Sequence, residues 1–135
     1  MMKTFNESKI ANFWIESSDK DYKTMKNLYN SKDYHWALFI GHLVIEKLLK
    51  AVYVRRMKKN PLPIHDLLRL SKMAELETNK QIEDWLDNIT AFNINARYDT
   101  YNQEFYKLCT KKYTDKWIEN IKELRKWLKE KLKGL

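Results

Sequence analysis

A chain of 135 residues with two Gly, two Pro and 44 % hydrophobic residues is long enough for one core and too short for two ordinary domains, so residues 1–135 are read as a single domain. So few turn residues disfavour short strands joined by tight turns and favour long uninterrupted helices, which makes the expected class all-α. The lone Cys109 excludes an internal disulfide, and the net charge of +8 is concentrated from Lys107 onward, where ten Lys or Arg stand against four Asp or Glu.

The polar start MMKTFNESK lacks the apolar stretch of a signal peptide, so a cytoplasmic location is expected. Beyond it, Ile10, Trp14, Ser17, Asp21, Met25 and Leu28 recur at three- and four-residue steps, one stripe of a first helix ending near Asn30. A connection at Ser31–Asp33 is short enough to make the next helix an antiparallel neighbour. That helix starts at Tyr34 and is the most apolar of the chain, with Ala37, Gly41, Val44, Leu48 and Ala51 on one side and Leu38, Ile45, Leu49 and Val52 beside them. Gly41 in mid-helix costs about 1 kcal/mol relative to Ala, which predicts a close helix crossing at that point. The apolar run Trp36–Ile45 is interrupted by His42 and closed by Glu46 and Lys47, far short of a membrane span.

Pro61 and Pro63 end this helix, because neither donates a backbone hydrogen bond and each disfavours helical geometry in the residue before it. A short helix is expected from near His65. Thr78-Asn79-Lys80-Gln81 has the form of a capping box, and Ile82, Trp85, Leu86, Ile89 and Phe92 form the stripe of a fourth helix that frays near Asn95. Ala96–Thr110, rich in Tyr and Asn and poor in periodicity, reads as a structured connection. Trp117, Ile121, Leu124, Leu128 and Leu132 define a terminal helix. The expected architecture is an antiparallel up-and-down bundle of four long helices plus a short one.

The order DYHWALFIGHLVIEKLLKAV, PLPIHDLLRL, FNINARYDTY and WIENIKELRKWLKEKL resembles the HEPN domain family over nearly the whole chain. The most specific elements are Glu46-Lys47 inside an apolar helix, the helix start His65-Asp66-Leu67, and Ala96-Arg97-Tyr98. The resemblance implies a helical bundle, frequent homodimerisation, a polar cleft near the dimer interface, and in many relatives a minimal nucleotidyltransferase partner in a toxin–antitoxin arrangement. Other relatives are metal-independent ribonucleases that use an Arg followed, after four to six residues, by a His. Counting from Arg97, those positions hold Asn102, Gln103 and Glu104. An imidazole moves a proton near neutral pH, whereas Asn and Gln do not titrate and Glu104 would stand as an anion beside a phosphate. The usual ribonuclease activity is therefore expected to be absent. An atypical ribonuclease would have to use Arg97 with Tyr101 or Glu104.

His42, Glu46 and Lys50 follow one another at four-residue steps and share a helix strip, which the resemblance sets near the cleft with Arg97. One reading is a pocket for a nucleotide phosphate or RNA backbone, with Arg97 and Lys47 as cations and Glu46 orienting them. The other is an internal ion-pair network in which Glu46 holds Arg97 or Lys50 and His42 caps a backbone group. Asp21, on the inner face of the first helix, fits either. Tyr98 joins Arg97 as a contact candidate, while Trp14, Trp85 and Trp117 are read as core. His35, His42 and Glu46 lack a recognisable metal-ligand pattern, so no metal or other cofactor is expected. Cys109 reads as a structural thiol and His65 as a helix cap. The lysines of the terminal helix are read first as a solvated face and second as an RNA footprint.

Overall fold

The computed structural model describes residues 5–135; the polar start read at Met1–Thr4 lies outside them. Among the described residues there are six α-helices and no strand: α1 Glu7–Asn30, α2 Tyr34–Met57, α3 Leu67–Met73, α4 Lys80–Arg97, α5 Asp99–Leu108 and α6 Lys111–Lys133. None is long and apolar enough to cross a membrane.

Helix α2 is the axis of the structure. Fifteen of its 24 residues are buried, on every side of the helix, because α1, α3, α4, α5 and α6 all pack against it. A helix enclosed in this way needs no polar face, which explains its unusually apolar sequence. It ends at Met57, where Lys58 adopts a left-handed conformation (φ 59°), a few residues before Pro61.

Partners along α1 descend as those along α2 ascend: Glu7 with Lys58, Asn12 with Arg55, Trp14 with Lys50, Asp21 with Lys47 and Met25 with Gly41. The innermost line of α1 is Ala11, Ser18 and Met25, so of the stripe read from the sequence Met25 lies on the contact line while Ile10, Trp14, Ser17, Asp21 and Leu28 flank it. Small residues bring the backbones close, and Ser18 Oγ donates to the Val44 carbonyl across 2.8 Å. At Gly41 a Cβ would lie 2.5 Å from Ile121 Cδ1 and 3.3 Å from Met25 Sδ, so α1, α2 and α6 converge there and only glycine fits without a shift.

The terminal stripe Trp117, Ile121, Leu124, Leu128 and Leu132 is buried as read. Trp117 meets Phe92 edge-on with centroids 5.5 Å apart, and Phe92 also meets Phe105 at 5.5 Å. Trp14 and Trp85 pack against the core while remaining partly exposed.

Two segment readings need correction. Ala96–Thr110 is not an irregular connection: α4 continues through Arg97, and α5 follows after the single extended residue Tyr98. The fourth helix is capped by Asn79, whose Oδ1 accepts from Ile82 N at 2.8 Å, while Thr78 Oγ1 donates to Glu83 Oε2.

Candidate functional site

The polar strip of α2 lies inside the protein. Glu46, His42 and Lys50 are 4 %, 0 % and 5 % exposed, and buried charges of this kind are tolerated only with partners. Glu46 Oε2 accepts from Lys50 Nζ at 3.1 Å, one turn along the helix. Glu46 Oε1 accepts from His65 Nδ1 at 2.8 Å and lies 3.9 Å from His42 Nε2. His42 Nε2 donates to the His65 carbonyl at 2.9 Å, which leaves its buried Nδ1 unpartnered. Burial pushes the His42 imidazole below its ordinary value; the His65 carbonyl and the Glu46 charge oppose that shift without cancelling it. His42 is thus a neutral donor that fixes the backbone leading into α3.

His65 is the residue the sequence reading misassigned. Asp66, not His65, caps α3, accepting from Arg69 N at 3.1 Å. The side chain of His65 is instead half exposed and turned onto Glu46. A signal was available: a carboxylate on an apolar helix needs a donor for each oxygen, Lys50 satisfies one, and His65 is the first side-chain donor after the chain turns back at Pro61 and Pro63.

A second ion pair lies on the α1 side of α2. Lys47 Nζ donates to Asp21 Oδ2 at 2.6 Å and to Ser17 Oγ at 2.8 Å, and its partner Asp21 is likewise only partly exposed. Asp21 and Lys47 therefore form a unit toward α1, separate from the Glu46–His65 pair.

Arg97 is exposed at the last turn of α4, with its guanidinium carbon 5.8 Å from the Tyr98 ring centroid. Among the described residues it has no salt-bridge partner. Its charge reaches His42 and depresses the imidazole further, so Arg97 and the buried strip share one neighbourhood without a direct bond between Arg97 and Glu46. Tyr98 and Tyr101 are about half exposed. Tyr101 and Glu104 line a shallow pocket of about 260 Å³ on α5 together with Asn95 and Leu108. Asn102, one of the positions where the resemblance implies histidine, instead donates through Nδ2 to the Ala96 carbonyl at 2.6 Å and ties α5 to α4.

Among the described residues no three His, Cys, Asp or Glu side chains group as metal ligands. Cys109 is buried, and burial pushes its thiol up to about 12, which keeps it protonated and unreactive.

The fold and this neighbourhood define an all-helical protein with a neutral histidine, a buried carboxylate–lysine–imidazole cluster and an exposed arginine beside a tyrosine ring. The chain belongs to the HEPN domain family, whose model matches residues 11–132. No curated protein and no solved structure matches it.

Proposed function

We propose that this chain is a nucleotide- or RNA-associated binding and regulatory module that folds as one up-and-down bundle over residues 1–135 and works as a homodimer in the cytoplasm. The carrying observation is Arg97: an exposed guanidinium with no ionic partner among the described residues, beside the exposed ring of Tyr98. A planar five-donor cation next to aromatic faces matches a phosphate with an adjoining base. In this reading Arg97 meets the phosphate, Tyr98 packs against the ligand, and His42, Glu46 and Lys50 hold the floor beneath them. Lys47 and Asp21 support the floor from the α1 side.

The family resemblance adds a protein partner, a minimal nucleotidyltransferase of a toxin–antitoxin type system. The usual ribonuclease chemistry is absent from this proposal, since Asn102, Gln103 and Glu104 offer no imidazole after Arg97. The test is fluorescence anisotropy with a labelled single-stranded RNA and with a labelled nucleotide. At least one should bind saturably and weaken about tenfold in Arg97→Ala, in line with about 1.5 kcal/mol for a charge-assisted contact.

A second reading has one observation in its favour. His65 is an exposed imidazole oriented by a buried carboxylate, the arrangement of a general base, in the neighbourhood of Arg97. An atypical metal-independent endoribonuclease built on Arg97, with Tyr101 or Glu104 assisting, would draw on it. RNA cleavage lost in both Arg97→Ala and His65→Ala supports this second reading over the first.

A further inference from the structure

Three consecutive residues at the start of α3 are each tied to a different helix. His65 is bound to α2 twice: its carbonyl accepts from His42 Nε2 at 2.9 Å, and its Nδ1 donates to Glu46 Oε1 at 2.8 Å. Asp66 caps α3 through Arg69 N, and Leu67 N donates to Thr90 Oγ1 of α4 at 3.0 Å. The imidazole of His65 is therefore held by a backbone anchor and a side-chain anchor before any ligand arrives.

Of the three histidines in the chain, His65 alone is exposed; His35 and His42 are buried. A donor needed only to satisfy Glu46 would gain by being buried with it, as Lys50 is. His65 instead keeps half of its side chain in water.

Glu46 decides which ring nitrogen is available. A carboxylate only accepts, so Nδ1 carries the proton, and Nε2, whose lone pair diverges from that bond, is left as the nucleophile. A neutral imidazole in water prefers the opposite tautomer, so the buried carboxylate inverts the preference. Lys50 Nζ holds the other carboxylate oxygen at 3.1 Å, which leaves the Glu46–Lys50 pair without net charge toward an approaching anion. His42 is neutral, and the carboxylate of Asp66 is engaged with the α3 backbone.

We infer that His65 is a phosphoryl acceptor, phosphorylated at Nε2 by an acyl phosphate. The Nε2 lone pair forms a bond to phosphorus as the bond from phosphorus to the acyl oxygen breaks, and the carboxylate leaves with the electron pair. The Nδ1 proton stays on the ring, where Glu46 balances the positive charge that the imidazole gains. An acyl phosphate fits because its leaving group departs as a stable anion. An alkyl phosphate would need a proton donor, and the donors of the cluster, His42 and Lys50, are buried and engaged. The acceptor does not depend on a phosphate bound at Arg97, and no RNA enters its test.

The experiment is incubation of the full chain with acetyl phosphate, folded and in urea, followed by mass spectrometry and phosphorus NMR. One phosphoryl group, stable in alkali and lost in acid, is expected on His65 and absent from His65→Ala. It should form about tenfold faster than on a histidine of the unfolded chain, where no ring is oriented; this comparison needs no variant. Glu46→Gln with Lys50→Met removes both buried charges together. In that variant the reaction should slow about tenfold, and nitrogen NMR should show His65 losing the Nδ1-protonated tautomer of the wild type. No phosphoryl group on the chain, one at another residue, or a folded rate no greater than the unfolded rate overturns the inference. So does a double variant that keeps its helical circular dichroism and reacts at the wild-type rate.

Discussion

Glu46 and His65 are joined across 2.8 Å, the carboxylate buried on α2 and the imidazole half exposed ahead of α3. Glu46 also holds Lys50, so one residue balances a buried cation and anchors the return of the chain after Pro61 and Pro63. Removing Glu46 alone strands the Lys50 ammonium in the core. Glu46→Leu should therefore cost about 3–5 kcal/mol of unfolding free energy in a denaturant titration, whereas Glu46→Leu with Lys50→Met should recover most of it. A single substitution costing under about 1 kcal/mol would show that the cluster is not closed as described.

Acid should weaken the fold through two buried histidines. Burial lowers the folded-state values of His42 and His35 below the ordinary imidazole value of about 6.5. The unfolded chain then binds more protons than the folded one as pH falls below 6.5, so the stability contributed above that value is lost on acidification toward the folded values. Asp19 and Asp115 act in a separate window: both have folded values below 3.8, where Lys129 and Arg125 outweigh burial for Asp19 and Lys111 leads for Asp115. Stability is expected to fall as the pH is lowered from 6.5 to 5.5, and chemical denaturation at the two values measures it. The slope should flatten in His42→Gln with His35→Phe, and an unchanged slope would contradict the assignment.

The crossing at Gly41 is testable as a pair. Gly41→Ala gains about 1 kcal/mol of helix propensity but pushes a methyl into Ile121 Cδ1, and overpacking of this kind costs about 1–3 kcal/mol. Ile121→Val removes that same atom and alone costs about 0.5–1.5 kcal/mol. The double variant should be more stable than the sum of the two by about 1 kcal/mol, and strict additivity would mean that the two sites do not touch.

Cys109 should be chemically quiet. With its thiol raised from 9.0 to about 12 by burial, the thiolate fraction at pH 8 is about a thousandfold lower than without burial. Alkylation by iodoacetamide should be at least about a hundredfold slower in the folded than in the denatured chain. Comparable rates would place the thiol at the surface.

The long apolar α2, its capping region, the α1–α2 turn and the stripe of α6 are legible in the sequence because each is a long periodic pattern closed by a recognisable stop. Helix α5 is not, because Phe105 is its only buried residue and one apolar contact in ten residues leaves no period to read. The α1 stripe meets the true contact line only at Met25 and lies about a third of a turn away elsewhere, because that line also uses the small residues Ala11 and Ser18, which hydropathy underweights. The strip His42, Glu46 and Lys50 is visible from spacing, but its partner His65 arrives from a segment whose path depends on the fold. That same path decides that Glu46 binds Lys50 and His65 rather than Arg97, which leaves the guanidinium at the surface.

The availability of Arg97 for a phosphate is the central claim, and titration of a labelled single-stranded RNA against wild type and Arg97→Ala tests it most directly. Saturable binding that weakens about tenfold in the variant, with the RNA recovered intact, is the expected result. Equal binding by both proteins, or RNA cleavage by wild type that vanishes in Arg97→Ala, would contradict it.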